Sequence, residues 1–301
     1  MSAITENIVR NIRVRAHAKI NLYLNVVGKR EDGYHNLETI FHSIGLHDDV
    51  ILRKQETKGI TVHCEHPGVP CDSRNLAYQA AQLLSNAVRG IGGIAIDIHK
   101  RIPVAAGLAG GSANAAAVLH GANELFRLGL TQETLMHFGA QLGADVPFCL
   151  HGGAAFGQGI GDQLTRLPAL PDLPLLLLNP GIEISTAAIF KKLNFPLTKR
   201  EKDSIIIRTY MEKGDILSIG KNLYNLLEVP VFSKHPEIAA LKTELSTQSG
   251  CCGALMSGSG ATLFAMMHDS EAARQSESHF RNKVNFCETT VTSPVGVYID
   301  D

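Results

Sequence analysis

The chain has 301 residues, close to twice a typical domain, so two domains are expected, 1–168 and 169–301. Its 45% apolar and 19% charged residues describe an ordinary globular protein with ample core material, and a formal net charge of −1 with interspersed signs argues against nucleic acid as a partner. The longest apolar run, 173–178 around Pro174, is far too short to cross a bilayer, and residues 1–15 hold no signal-type apolar segment, so a cytoplasmic enzyme without membrane contact is expected.

In chain order, the first third reads as strands: 12–27 alternates apolar and polar residues, followed by 34–44, 50–54 and 60–64. Asp32-Gly33, between the first two, is a hairpin turn signal. His63, Cys64, His66 and Cys71 place four potential metal ligands within nine residues. A strand points His63 and Cys64 to opposite faces, and the spacing fits no common zinc pattern, so no metal site is expected there. The six cysteines are irregularly placed, Cys251 and Cys252 being adjacent, and form no disulfide framework. Asp72 or Ser73 can cap a helix over 75–88.

Residues 93–100 alternate as a half-buried strand that leads into a glycine-rich turn and a helical run over 114–126. Thr131 caps a helix over 132–142, followed by a turn at 143–147, a glycine-rich return over 150–161 and a strand over 175–178. Further on, helices near 185–193, 215–227 and 236–246 surround strands at 254–257 and 262–267, before a helix near 271–281 and a strand near 288–292. This mixed order points to two α+β domains rather than one doubly wound parallel sheet.

The turn at 103–114 is the strongest chemical signal. Glycine removes the Cβ that keeps ligands away, and a following helix begins with unpaired N–H groups and partial positive charge. Such a turn is an anion site, usually for phosphate, although the chain lacks both the P-loop lysine and the dinucleotide spacing. Three other segments carry candidate chemistry. In 16–24, Lys19 and Asn21 share one strand face: Lys19 is either a snorkelling surface lysine or a cation aimed at a phosphoryl group. Tyr34 and His35 follow the Asp-Gly turn and could stack on and hydrogen-bond a planar base. Asp145, in Gly143-Ala144-Asp145-Val146-Pro147, either turns the chain or accepts a hydrogen bond from a substrate hydroxyl. Finally, the glycine–serine turn at 257–262 is a hairpin or a closure over a nucleotide.

The segments 103–114 and 257–262 resemble the second and third motifs of the GHMP kinases, small-molecule kinases without a P-loop. Ala16-x-Ala-Lys-Ile-Asn-Leu-x-Leu, Gly33-Tyr34-His35 and Leu142-Gly-Ala-Asp-Val-Pro147 resemble, more sharply, the branch that phosphorylates a cytidine diphosphate sugar alcohol on the non-mevalonate route to isoprenoid precursors. The resemblance runs from about 13 to 190 and returns near Ser257; it is weak over 195–250. It implies an N-terminal domain like ribosomal protein S5 domain 2, a smaller ferredoxin-like C-terminal α+β domain, and an active site in the cleft between them. ATP would donate its γ-phosphoryl to the 2-hydroxyl of the erythritol portion.

On that resemblance, Pro103, Gly107, Leu108, Ala109, Gly110, Gly111, Ser112 and Asn114 would bind ATP, and Lys19 and Asp145 would be catalytic. Asn21, Tyr34, His35, Thr186 and Phe190 would bind the acceptor, with Tyr34 and Phe190 as stacking walls and His35 reading the base edge. Ser257, Gly258 and Gly260 would form the closing loop. Mg2+ is implied by phosphoryl transfer, with no evident protein ligand. Two positions depart from the family: Ala109 stands where glycine is more frequent, and requires an ordinary φ; Ala113 replaces a serine whose hydroxyl could touch phosphate. The alternatives are a GHMP kinase for another alcohol, such as homoserine or mevalonate, and a non-catalytic binding member. Oligomeric state stays open.

Overall fold

The computed structural model describes residues 11–170, 172–191, 193 and 203–300. The first ten residues of the N-terminal stretch and Lys192, near the end of the expected 185–193 helix, lie outside the described residues. Among the described residues no helix is long and apolar enough to cross a membrane.

Two long strands, β1 (Asn11–Lys29) and β2 (His35–Gln55), pair antiparallel along their length around the Asp32-Gly33 turn. The two strands expected at 34–44 and 50–54 are one continuous element. It serves two neighbours: its C-terminal half pairs with β4 (Gly93–His99), beside β3 (Ile60–Cys64), and its N-terminal half pairs with β5 (Ala154–Gln158). β6 (Gln163–Leu167), which carries too few apolar residues to stand out, extends this wing through β5. The register of β1 against β2 shifts between His17 and Lys19, between Asn21 and Tyr23, and between Val26 and Gly28. Bulges of this kind re-aim side chains beside sites, and two of them flank Lys19 and Asn21.

One face of the sheet buries Val14, Ala16, Ala18, Ile20 and Leu22. Against it lies α2 (Gly110–Phe126), which starts four residues before the expected 114. It is surrounded by β1, β2, α1 (Leu76–Ala87), α3 (Gln132–Leu142) and α4 (Val146–His151). Its middle stretch, 113–119, is enclosed by these neighbours and is apolar apart from Asn114, hence the fully buried Ala113, Ala115, Ala116, Ala117, Val118 and Leu119. At Gly121 an added Cβ would meet Val14 and Leu52 within 3 Å, so close docking of this helix requires glycine. The N-cap of α1 is Asn75, which accepts from the Ala77 N–H at 2.9 Å, rather than Asp72 or Ser73. Asp72 instead accepts from the Arg74 N–H one turn earlier. Thr131 caps α3 as its sequence indicates.

The second half builds an antiparallel sheet in the order β11 (Phe286–Val291), β7 (Pro174–Asn179), β10 (Leu263–Met267), β9 (Cys251–Met256). Leu176, Leu178, Leu263, Ala265 and Met267 join a separate apolar core with Ile238, Leu245 and Phe280. Those last three belong to α9 (Pro236–Ser246) and α10 (Ser270–Phe280), which pack on the sheet. α5 (Thr186–Lys191) follows β7, while α6 (Ser204–Lys213), absent from the sequence reading, precedes the 215–227 segment. That segment is a helix α7 (Ile216–Asn222) and a short β8 (Tyr224–Asn225), with α8 (Glu228–Lys234) following, not one continuous helix. Its β8 runs parallel to β1, and the last strand, β12 (Val297–Asp300), also returns to β1. The mixed, two-sheet α+β architecture agrees with the expectation.

Candidate functional site

The glycine-rich turn sits at the N-terminus of α2, on the wall of a cleft of about 900 Å3. The first intrahelical bond is from Ala113 N–H to the Ala109 carbonyl at 2.9 Å. The N–H groups of Gly110, Gly111 and Ser112 therefore have no intrahelical acceptor, and all three residues line the cleft. Gly107, at φ 78, packs against the Ser257 carbonyl so closely that a Cβ would overlap it. The ordinary φ required at Ala109 is not what the structure has: Ala109 is left-handed, φ 58 and ψ 29, as the N-cap of α2. The backbone keeps the conformation a glycine would take and the alanine methyl bears a strain of about 1–2 kcal/mol. Ala113 is fully buried in the core under α2, so a hydroxyl there would not face the cleft.

β1 passes directly behind this turn, the Lys19 N–H donating to the Leu108 carbonyl at 3.2 Å. Lys19 is no snorkelling lysine: it is 4% exposed, and Nζ donates to Asn21 Oδ1 at 2.8 Å. Asn21 Nδ2 donates to Thr39 Oγ1 at 2.8 Å, and Thr39 Oγ1 donates to the Tyr23 carbonyl at 2.8 Å. Phe41 lies 5.5 Å from Nζ, stacked on Phe148 at 4.8 Å. Asp145 is the N-cap of α4 yet makes no side-chain cap bond; its Oδ2 stands 3.7 Å from Lys19 Nζ. The carboxylate is thus turned to the cleft rather than spent on the local turn.

Lys100 and Asp48 belong to the site and were not legible in the sequence. Asp48 is fully buried and pairs with Lys100; it also accepts from the N–H groups of Arg101 at 2.8 Å and Ile102 at 2.9 Å. Asn114 Nδ2 donates to the same carboxylate at 2.8 Å, and Asn114 Oδ1 accepts from Lys100 at 3.3 Å. The Asn114 amide is therefore engaged with Asp48 and Lys100 at the floor of the cleft. Among the described residues the charged side chains on the cleft wall are Lys19, Arg74, Lys100 and Lys191 against Asp145. Asp48 and Asp72, which do not line the cleft, pair with Lys100 and Arg74, so the local excess of positive charge is small, with the sign that favours phosphates.

At the other end, His35 stacks on Phe190, ring centroids 5.2 Å apart. Burial and the neighbouring Lys29 push the His35 pKa below its ordinary value, which favours the neutral ring with one donor and one acceptor. Tyr34 is 62% exposed at the rim, beyond Gly33, whose φ of 87 turns the hairpin. Thr186 Oγ1 and Ser259 Oγ share a hydrogen bond of 2.7 Å across the cleft.

Of the residues singled out by sequence, Leu108, Ser257 and Gly260 do not line the cleft; the others do. Leu108 is buried, and Ser257 Oγ donates to the Gly107 carbonyl at 3.0 Å, so the 257–260 loop is laced to the glycine turn from behind. Ser259, not singled out, takes a place on the wall. So does an apolar arm of Val69, Pro70, Leu76 and Val104 near the start of α2, which has no motif in the sequence.

Comparison with known proteins bears on the fold and the family. The GHMP kinases N terminal domain matches residues 75–153, and GHMP kinases C terminal matches residues 207–284. A 4-diphosphocytidyl-2-C-methyl-D-erythritol kinase of Acetivibrio thermocellus is 41% identical over 285 residues, covering 94% of this chain and 100% of the relative. One from Syntrophomonas wolfei is 40% identical over 274 residues, 91% of this chain and 95% of the relative. Among solved structures, a 4-(cytidine 5'-diphospho)-2C-methyl-D-erythritol kinase superposes with a TM-score of 0.80 at 32% identity, over 93% of this chain and 99% of the other. A homoserine kinase from Cytophaga hutchinsonii, 19% identical, shares the fold with a TM-score of 0.74 over 99% and 100% of the two chains.

Proposed function

The chain belongs to the GHMP kinases and, within them, to the 4-diphosphocytidyl-2-C-methyl-D-erythritol kinase family, and on that basis we propose that its cleft transfers the γ-phosphoryl of ATP to the 2-hydroxyl of that diphosphocytidyl alcohol. The observation that carries the mechanism is the Lys19–Asp145 pair, 3.7 Å apart, on the wall of the same cleft as the glycine turn and the His35–Phe190 stack.

The N–H groups of Gly110, Gly111 and Ser112 would cradle the phosphates at the α2 N-terminus. The apolar arm at Val69, Leu76 and Val104 would take the adenine, and Lys100, braced by Asp48, would add charge on that side. Asp145 would accept the hydrogen of the attacking hydroxyl as it moves onto phosphorus, while Lys19 stabilises the charge that accumulates on the transferred group. Asn21 holds Lys19 in line through its 2.8 Å hydrogen bond. The base would lie between Tyr34 and Phe190, with His35 reading its edge; stacking alone tolerates any base, so hydrogen bonds must select cytosine.

Mg2+ accompanies phosphoryl transfer of this class and supplies charge neutralisation at the phosphate oxygens when bound. No group of three or more His, Cys, Asp or Glu comes together among the described residues. Mg2+ carried on phosphates needs one or two carboxylates at most, and Asp145 and the Ser112 hydroxyl are the cleft oxygens that would meet it.

The reading is tested by coupled ADP release with the cytidyl alcohol, homoserine and mevalonate in parallel. Turnover confined to the first is expected, since the other two have no base to engage His35, Tyr34 and Phe190. Turnover confined to either of the others would overturn it.

A further inference from the structure

The 223–228 segment carries no recognised motif, yet it grips the loop that backs both halves of the site. Asn225 is 3% exposed and lies in β8, beside Leu24 of β1. Its Nδ2 donates to two carbonyl oxygens, those of Met256 and Gly258, each at 2.7 Å, and its Oδ1 accepts from the Leu227 N–H at 2.9 Å. Three residues on, Glu228 Oε1 accepts from the Met256 N–H at 2.9 Å, while Lys242 donates to Oε2 at 2.6 Å. Met256 is therefore held at its N–H by Glu228 and at its carbonyl by Asn225, and the second amide hydrogen of Asn225 reaches on to Gly258.

Gly258 is where this grip meets the chemistry. A Cβ built on it would stand 3.1 Å from the Gly107 carbonyl, 3.4 Å from Lys19 Nζ and 3.5 Å from Asn21 Oδ1. The neighbouring Ser257 hydroxyl donates to that same Gly107 carbonyl. A shift of this peptide would change the spacing between the Lys19 ammonium and the phosphate turn. Losing the Asn225 amide would also leave two buried carbonyls without their donor.

We propose that Asn225 is a positioning residue for phosphoryl transfer: through the Gly258 carbonyl it sets the placement of Lys19 relative to the glycine turn. The inference rests on the kinase reading of the cleft and adds to it a residue that touches neither substrate.

The test compares Asn225→Ala and Asn225→Asp with the wild type, using ATP and the cytidyl alcohol. An inactive wild type overturns the kinase reading and this proposal with it; an active one isolates the proposal. Both variants should lose kcat by about tenfold or more at pH 8, because a misplacement of under 1 Å is costly in a positioned site, while KM for the cytidyl alcohol stays within about twofold. Asn225→Asp carries the sharper signature. A buried carboxyl facing two carbonyl oxygens is disfavoured in its charged form, so acidification restores a donating hydroxyl. Its activity relative to wild type should rise by about threefold or more from pH 8 to pH 6, while the Asn225→Ala ratio stays flat. The charged groups around the position, Lys19 across Gly258 and the Glu228–Lys242 pair, are common to both variants and cancel in that comparison. Wild-type kcat in Asn225→Ala, a loss confined to KM, or a pH-independent ratio for Asn225→Asp would overturn the proposal. Failure of both variants to fold would place Asn225 in folding alone and overturn it equally.

Discussion

Replacing Asp145 by asparagine removes one charge and the proton acceptor while keeping the shape of the side chain. In the structure that carboxylate is 3.7 Å from Lys19 Nζ, and its side chain is 35% exposed at the cleft wall. Two unit charges at this separation interact by about 4–5 kcal/mol at an effective dielectric near 20, and the exposure of Asp145 screens part of it. Lys19 keeps Asn21 as an acceptor at 2.8 Å, so the pocket should persist, and a melting curve checks this. The larger loss is chemical. A positioned acid–base group contributes about 10²–10⁴ in rate, equivalent to about 3–5 kcal/mol of barrier. Steady-state coupled ADP release should therefore show kcat of Asp145→Asn reduced by about 10²–10⁴, with both KM values within about threefold of wild type. Because Lys19 and Asp145 act on one transferring group, adding Lys19→Ala should cost far less than the product of the two single losses. A wild-type kcat, or a loss that appears only in KM, would refute the role given to Asp145.

Tyr34→Ala should raise KM for the cytidyl alcohol by about 5–150-fold, the equivalent of one stacking wall, and leave KM for ATP unchanged; equal effects on both would remove Tyr34 from the base site. Ala109→Val should raise KM for ATP by about tenfold or more, because a β-branched residue is a poorer occupant of the left-handed region than alanine, whereas Ala109→Gly should bind ATP as wild type does. Equal ATP affinities in all three would separate the turn from phosphate binding. His42, buried against the Ser43 carbonyl and the Leu170 N–H, has its pKa pushed down to about 4 by burial. Between that value and the ordinary 6.5 the unfolded chain takes up a proton that the folded protein does not, so stability falls as pH drops through this window. From pH 7.5 to pH 5 this group alone should cost about 2 kcal/mol, read by urea denaturation; an identical pH dependence in His42→Asn would contradict it.

Much of the fold and site could be read from residue order. The alternation in 12–27, the Asp-Gly turn and the Thr131 cap are local signals, and the structure agrees with each. The motif residues converge because they occupy chain segments that cross one another: β1 behind the glycine turn, and the 257–260 loop against both. What escaped was contact between distant segments. Nothing near Lys100 announces Asp48, 52 positions earlier, and nothing near Asn225 announces the Gly258 carbonyl, 33 positions later. β6 and the 223–225 bridge lack the apolar period that betrays a strand, since short edge pieces are held by backbone pairing rather than by burial of a face. Ala109 shows the opposite limit. Its methyl implies an ordinary φ, yet the tertiary setting of the turn holds it in the left-handed conformation that glycine adopts most readily.

The destination of the phosphoryl group separates this kinase from an ATPase or a kinase of another alcohol. Phosphorus NMR of a mixture of the enzyme, ATP, Mg2+ and the cytidyl alcohol follows it directly. A new phosphomonoester resonance should grow in step with ADP while the diphosphate bridge of the acceptor stays intact. ADP and inorganic phosphate without a phosphomonoester, or a product phosphorylated elsewhere than the 2-hydroxyl, would contradict it.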